Sequence, residues 1–280
     1  MSVPVSAVVI AKNEAINLPR CLASLGWCDE VVVIDDHSTD DSPAIAAQHG
    51  AHVLTHKFES FAAQRNWALD EAGLQNEWVL MLDADEVSTP EFAAAVEQAI
   101  HSASPDAAAF RTCRKTMFLG QWLKHSDGFP VWIMRVVRRG RAHFANAGHG
   151  EVPVPPVDGI MGTIREPFLH YPFSKGLSDW LQRHIRYAER EAQGELEQLH
   201  GGSVLNILSL QRDIRRRGLR ALSRQLPGRP LLRFLFQYFL KCGFLDGRAG
   251  FTFSMLMSCY EAMIIAKRTE LQRLAKGEPI

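Results

Sequence analysis

Short apolar runs alternate with amphipathic stretches along the first third of the chain. Residues 5–10 (VSAVVI) are a strand-like run, and Leu18, Cys21, Leu22 and Leu25 follow at helical spacing. Residues 30–34 (EVVVI), 51–55 and 78–82 (WVLML) read as further strands. Residues 42–49, 61–72 and 90–102 read as the helices between and after them. Strand–helix alternation with short apolar strands predicts a parallel sheet with helices on both faces. The pattern then changes. Residues 107–115 and 131–138 read as strands joined without a long helix, and 142–144 and 151–154 as shorter ones. From Ser178 the chain turns helical, with Trp180, Leu181, Ile185 and Ala188 expected on one face. The expectation is an α/β half, a mixed and partly antiparallel half, and a helical extension.

Polar clusters fall where the predicted strands end, at 11–14, 35–41 and 83–86. Open α/β sheets bind ligands outside the carboxyl ends of their strands, so the clusters converge on one crevice. The sharpest of them is Asp83-Ala84-Asp85, two carboxylates delivered together by a buried strand. Unpaired, they repel and lose hydration. A hard divalent cation, Mg²⁺ or Mn²⁺, is the natural partner, with phosphate oxygens completing its shell. The competing reading is a turn that caps the helix starting at Ser88-Thr89-Pro90-Glu91. Asp35 carries the same ambiguity, since aspartate is a preferred N-cap.

Composition narrows the classes. The 280 residues are 46% hydrophobic and 22% charged, as in ordinary globular proteins. A formal net charge of zero argues against a polyanion binder, and no nucleic-acid partner is expected. Five scattered cysteines without a CxxC fit a reduced compartment and no structural zinc. No basic n-region precedes the first apolar run, so no cleaved secretory signal is expected. Residues 211–241 change the picture locally. Nine Arg or Lys residues face one acid, Asp213, with Leu and Phe interleaved. That pattern suits an anionic membrane surface. The alternative is a helical subdomain with a solvated basic rim.

Three motifs carry a family likeness: Val8-Val9-Ile10-Ala11-Lys12-Asn13-Glu14, Val33-Ile34-Asp35-Asp36-His37-Ser38-Thr39-Asp40 and Leu82-Asp83-Ala84-Asp85-Glu86. They resemble the family 2 glycosyltransferases of GT-A fold. Gln64-Arg65-Asn66, Phe118-Leu119-Gly120 with His125, His149-Gly150-Glu151, Leu169-His170-Tyr171 and Gly243-Phe244-Leu245-Asp246-Gly247 resemble the WaaE-type lipopolysaccharide-core and surface-polysaccharide branch. Ser126-Asp127 departs from the small or glycine residues expected there.

The resemblance implies an α/β chain of GT-A, Rossmann-like fold, with a mixed sheet and a helical C-terminal extension. A catalytic domain is expected over residues 1–175, and a basic-apolar helical region over 176–280. The implied activity is inverting, metal-assisted transfer of a hexose from a nucleotide sugar, by default a UDP-hexose. The implied acceptor is a lipopolysaccharide-core or lipid-linked glycan at the inner face of the cytoplasmic membrane. Ala11, Asn13, Glu14, Asp35 and Asp36 are implied to hold base and ribose, and Arg65 the diphosphate or donor sugar. Asp85 is the implied metal ligand. Asp83 is either a second ligand or a ribose acceptor, and His170 either a later ligand or a histidine buried at a strand end. Glu151 is the first candidate for general base and Asp127 the second; a strand-edge salt bridge is the other reading of Glu151. A catalytically inactive nucleotide-sugar binder of the same fold is the alternative. A receiver domain fits less well, because the acidic pair follows the second strand. A nucleotidyltransferase lacks its glycine-rich loop here.

Overall fold

The computed structural model describes residues 2–147, 150–154, 159–199 and 228–280. The chain divides into two compact units, Met1–Trp122 with Phe129–Gly176, and Leu123–Gly128 with Leu177–Ile280.

The first unit opens with β1 (Val3–Ala11), α1 (Leu18–Ala23), β2 (Cys28–Asp35), α2 (Ser42–Gln48), β3 (His52–Thr55), α3 (Phe61–Glu71) and β4 (Trp78–Asp83). After β5 (Glu86–Val87) and α4 (Pro90–His101) come β6 (Ala107–Phe118), β7 (Gln121–Trp122), β8 (Val131–Arg138), β9 (Phe144–Ala147), β10 (Gly150–Pro153) and β11 (Ile160–His170). The main sheet runs β3-β2-β1-β4-β8-β6-β11-β5, with β7 on β6. The first four strands are parallel, β8 is antiparallel to both neighbours, and β11 returns parallel to β6. The mixed half expected from the sequence is therefore present.

Alternate residues of the central strands feed opposite faces, as the pleat requires. Val5, Val9, Leu80 and Leu82 pack with Leu18 and Leu22 of α1 and Phe92 and Val96 of α4. Val8, Val32, Ile34, Val79 and Met81 pack with Ala68 and Leu69 of α3. Each such side chain contributes about 1.5–3 kcal/mol when fully buried. Ser60 caps α3 through Ala63 N–H, and Thr89 caps α4 through Phe92 N–H with Pro90 behind it. The cap of α4 is thus Thr89, and neither Asp83 nor Asp85 serves as one.

The sequence reading missed β5, β7 and the eleven-residue β11. Gly162 and Pro167 break the apolar alternation of β11, and its register with β6 slips between Thr163 and Pro167.

The second unit contains α5 (Leu177–Leu199), α6 (Arg229–Leu235), a π-helical turn (Phe236–Leu240), a 3₁₀ turn (Gly243–Asp246) and α7 (Gly247–Ala275). Ala188 packs with Tyr260 and Ile264. The expected face of α5 needs correction: Ile185 is exposed, and the buried stripe is Trp180, Ala188, Ala192 and Glu195. Glu195 is tolerated inside because Arg229 and Arg268 meet it at 2.8 and 3.1 Å. Residues 211–227 of the basic-apolar stretch lie outside the described residues.

Candidate active site

Strand register builds the site. Ala11 pairs with Asp35 across β1–β2, Ile10 with Asp83 across β1–β4, and Asp35 with Thr55 across β2–β3. Three acid-bearing or loop-forming strand ends therefore finish in one row, at the carboxyl edge where parallel sheets bind ligands.

The first two loops are laced together. Asn13 adopts a left-handed backbone (φ 53°), donates its N–H to Ser38 Oγ at 2.8 Å and accepts Thr39 N–H at 2.8 Å. Glu14 N–H donates to Ser42 Oγ at 2.7 Å. The Glu14 carboxylate meets Lys175 Nζ and Asn17 Nδ2, both at 2.6 Å. Burial pushes Glu14 above the usual carboxylate range, and Lys175 and Asn17 pull part of that back. Asp35 is nearly buried. Its Oδ2 accepts Ser38 N–H at 2.9 Å, while its Oδ1 is buried with no hydrogen-bond partner among the described residues. The loop contact and the unpartnered atom are thus different oxygens of one carboxylate. Asp36 accepts Phe58 N–H at 3.0 Å and pairs with Lys12 at 2.6 Å. Burial raises its pKa, but these partners outweigh it and hold Asp36 below its ordinary value.

The third loop holds the densest charge. Asp83 is gripped from two sides, Oδ1 by Arg65 Nη2 at 2.6 Å and Oδ2 by Arg135 Nη2 at 2.8 Å. Arg135 Nη2 also meets Glu86 Oε1 at 2.7 Å, and Glu86 Oε2 accepts Asp83 N–H at 2.9 Å. Burial raises both acids. On Asp83 the two guanidiniums overrule it and hold the carboxyl well below the usual range. On Glu86 burial prevails and the pKa is raised. Asp83 was expected as a metal ligand or ribose acceptor, and Arg65 as a phosphate contact. In this structure Arg65, 1% exposed, is committed to Asp83, and both Asp83 oxygens are held by arginine.

Asp85 turns elsewhere. Its carboxylate lies 3.6 Å from His170 Nε2, and its C=O accepts Tyr171 N–H at 2.9 Å. The β5–β11 pairing, with His170 opposite Glu86, brings them together. Buried His170 Nδ1 has no hydrogen-bond partner among the described residues. No group of three or more His, Cys, Asp or Glu suited to a metal occurs among the described residues. One carboxylate and one imidazole fit a cation that takes its other ligands from phosphate and water, with imidazole tilting the choice towards Mn²⁺.

The two base candidates belong to different units of the chain. Glu151 sits on β10 opposite Asn146, and its side chain, like His149, lies outside the described part of the structure. Asp127 belongs to the second unit. Its loop is pinned there by Asp246, which accepts His125 N–H at 3.0 Å and Ser126 N–H and Oγ–H at 2.7 Å.

Sequence reasoning missed Arg135, Lys175 and the structural part of Glu86. Arg135 had a readable signal, a lone charge inside the apolar run Ile133–Val137. It is also the residue that the β6–β8 register skips, since Phe110 pairs with Val136 and Arg111 with Met134. A bulge of this kind re-aims a side chain.

A family model, glycosyl transferase family 2, matches residues 6–153, which covers all three strand-end loops. The chain belongs to this family. Its mixed sheet and helical C-terminal region are those of a GT-A glycosyltransferase. Among curated relatives, an uncharacterized glycosyltransferase of Rickettsia felis is 38% identical over 103 residues, 36% of each chain. A TPR repeat-containing protein of Synechococcus elongatus is 41% identical over 119 residues, 42% of this chain and 28% of that one. The match thus spans about a third of the length of these relatives. The lipopolysaccharide core biosynthesis glycosyltransferase LpsC of Rhizobium meliloti is 22% identical over 69% of this chain and 72% of its own. Among solved structures, a mannosyltransferase from Pyrobaculum calidifontis in complex with GDP-Man and Mn²⁺ aligns at TM-score 0.49 and 16% identity, over 96% and 88% of the two chains.

Proposed function

We propose that this family 2 glycosyltransferase moves a hexose, with inversion, from a nucleotide-diphosphate sugar to a hydroxyl of a lipopolysaccharide-core or lipid-linked surface glycan. UDP-hexose is the preferred donor. The observation that carries the proposal is the row of strand ends. It sets an unpartnered buried oxygen of Asp35 in the same edge as the Asp85–His170 pair. A carboxylate oxygen suits a base N–H or ribose hydroxyl, and the second pair suits a metal-bound diphosphate. The likeness to LpsC supports the acceptor class.

In this reading Ala11, Asn13, Glu14, Asp35 and Asp36 shape the nucleoside pocket. Asp85 and His170 would hold Mg²⁺ or Mn²⁺, which when bound neutralises charge on the departing nucleotide. Asp83 is a positioning residue, held by Arg65 and Arg135 so that the loop to Asp85 keeps one geometry. Glu151 takes the acceptor proton as its oxygen attacks the anomeric carbon in line with the breaking bond to the diphosphate. Asp127 is the second choice for that step. Residues 1–175 form the catalytic domain, and 176–280 bring it to the cytoplasmic face of an anionic membrane where lipid-linked acceptors are presented.

The test is metal-dependent cleavage and transfer from a panel of UDP- and GDP-hexoses. Asp85→Asn should lower the Mn²⁺-dependent rate by about 10²-fold or more. Glu151→Gln should leave nucleotide affinity unchanged and lower turnover by roughly 10²–10⁴. Donor binding without any turnover in the unaltered protein would favour an inactive binder. No Mn²⁺-dependent binding of any donor would sink both readings.

A further inference from the structure

The elbow between α6 and α7 presents its apolar side chains outward. Leu231, Phe239, Leu240 and Leu245 are 54–76% exposed, and Phe236 and Phe244 are exposed beside them. Two polar groups of the same segment, Gln237 and Asp246, turn inward. Asp246 is buried and saturated by the His125-Ser126 backbone and the Ser126 hydroxyl, and buried Gln237 donates to Ser126 C=O at 2.6 Å. This inverts the distribution expected of a surface that faces water, and a contiguous patch of this kind marks an interaction site.

The elbow is also stiff. A Cβ on Gly250 would come within 2.1 Å of Gly243 C=O, and one on Gly243 within 2.6 Å of Gln237 C=O. Only glycine allows the turn and α7 to close this tightly. Phe234, Tyr238 and Phe251 pack against one another in the same segment, at centroid distances of 5.3–5.7 Å.

Charge selects the occupant. Residues 228–255 carry Arg229, Arg233, Lys241 and Arg248 against one acid, the buried Asp246. Arg229 is spent on Glu195 and Glu261. Exposed Arg248 and half-buried Arg233 and Lys241, with Asp127 near Lys241, leave a net cationic rim beside the apolar ridge, the complement of anionic headgroups over acyl chains. Gly243–Ala275 is long and apolar enough to cross a bilayer. Crossing would carry Asp246 and Arg248 into hydrocarbon. The later half of α7 packs on Ala188 and carries Glu261, Lys267 and Arg268, with Arg268 paired to Glu195. Those ion pairs and contacts tie that half to the helical unit.

We infer that the α6–α7 elbow is a membrane-docking wedge, in which Phe236, Phe239, Leu240, Phe244 and Leu245 enter the interface of an anionic bilayer without spanning it. The wedge deepens the proposed action on a membrane-borne acceptor, yet its physics is independent of sugar transfer.

Co-sedimentation with vesicles of phosphatidylcholine, with and without phosphatidylglycerol, tests it on the full chain. The unaltered protein should bind the phosphatidylglycerol vesicles and release as salt rises. Phe239→Asp with Leu240→Asp should weaken partitioning by about tenfold or more. Ile185→Asp, on an exposed apolar position of α5, should not change it. Both variants should retain the melting profile and the Mn²⁺-dependent donor cleavage of the parent in vesicle-free buffer. Loss of cleavage in all three proteins would count against the catalytic reading and leave the wedge standing. Undiminished vesicle binding by the double variant would overturn the wedge. So would concentration-dependent self-association abolished by that variant without any vesicle binding, since the ridge would then dock a second copy.

Discussion

Asp83 and Glu86 are three residues apart and share one guanidinium, yet their acidities move in opposite directions. Asp83 is 29% exposed and touches two arginines, whereas Glu86 is fully buried and touches one. Removing Arg135 leaves both carboxylates short of countercharge. Arg135→Met should cost about 3–5 kcal/mol at pH 7, read by chemical denaturation. The sign of its pH dependence follows from the shifts. Asp83, held low, adds stability above its unfolded value of about 3.9 and loses it as pH falls through the folded value. Glu86, held high, contributes below its unfolded value and loses that as pH rises. The gap between the unaltered protein and Arg135→Met should therefore be widest near neutrality and narrow below about pH 4. A constant gap would mean that Arg135 acts through packing alone. At Asp35, Asn keeps the acceptor for Ser38 N–H but removes the charge at the unpartnered oxygen. Asp35→Asn should weaken UDP binding by about tenfold while thermal stability stays within roughly 0.5 kcal/mol.

At the scale of elements, the site depends on strands that the periodicity of the chain does not announce. The two-residue β5 pairs with the end of β11 and carries Glu86 and Asp85 to His170. Arg135 sits at the β6–β8 register shift, and its side chain reaches the acid cluster. By contrast, the βα repeats up to β4 were legible, because β1, β2 and β4 carry buried apolar runs and the helices between them have their own cap or proline start. The Gly243–Gly250 contact belongs to this scale as well. Gly250→Ala should destabilise the helical unit by about 1–3 kcal/mol, because the close contact is with backbone and cannot be relieved by a rotamer change. A melt unchanged from the parent would show that the elbow is looser than its geometry implies.

At the scale of the molecule, ligand and metal should act as one cofactor pair. A ligand that binds only the folded state at a hundred times its Kd adds about 2.7 kcal/mol. UDP with Mn²⁺ should raise the melting temperature of the unaltered chain, and chelation should remove most of the rise. Asp85→Asn should show the small UDP shift without the metal increment. An equal metal increment in Asp85→Asn would move the cation away from the Asp85–His170 pair.

By itself the sequence determined the order of elements up to β4, the row of acidic strand ends and membership of a nucleotide-sugar enzyme family. These rest on local periodicity and on short motifs whose residues are neighbours in the chain. Only the tertiary structure decided how the charges are shared. Arg65 lies 18 residues from Asp83 and Arg135 lies 52 away; Lys175 lies 161 from Glu14. Those pairings are set by sheet register and by a bulge, and register is a property of two strands together. The same holds for the elbow: the composition announced a basic-apolar stretch, and the fold decided which of its side chains turn outward.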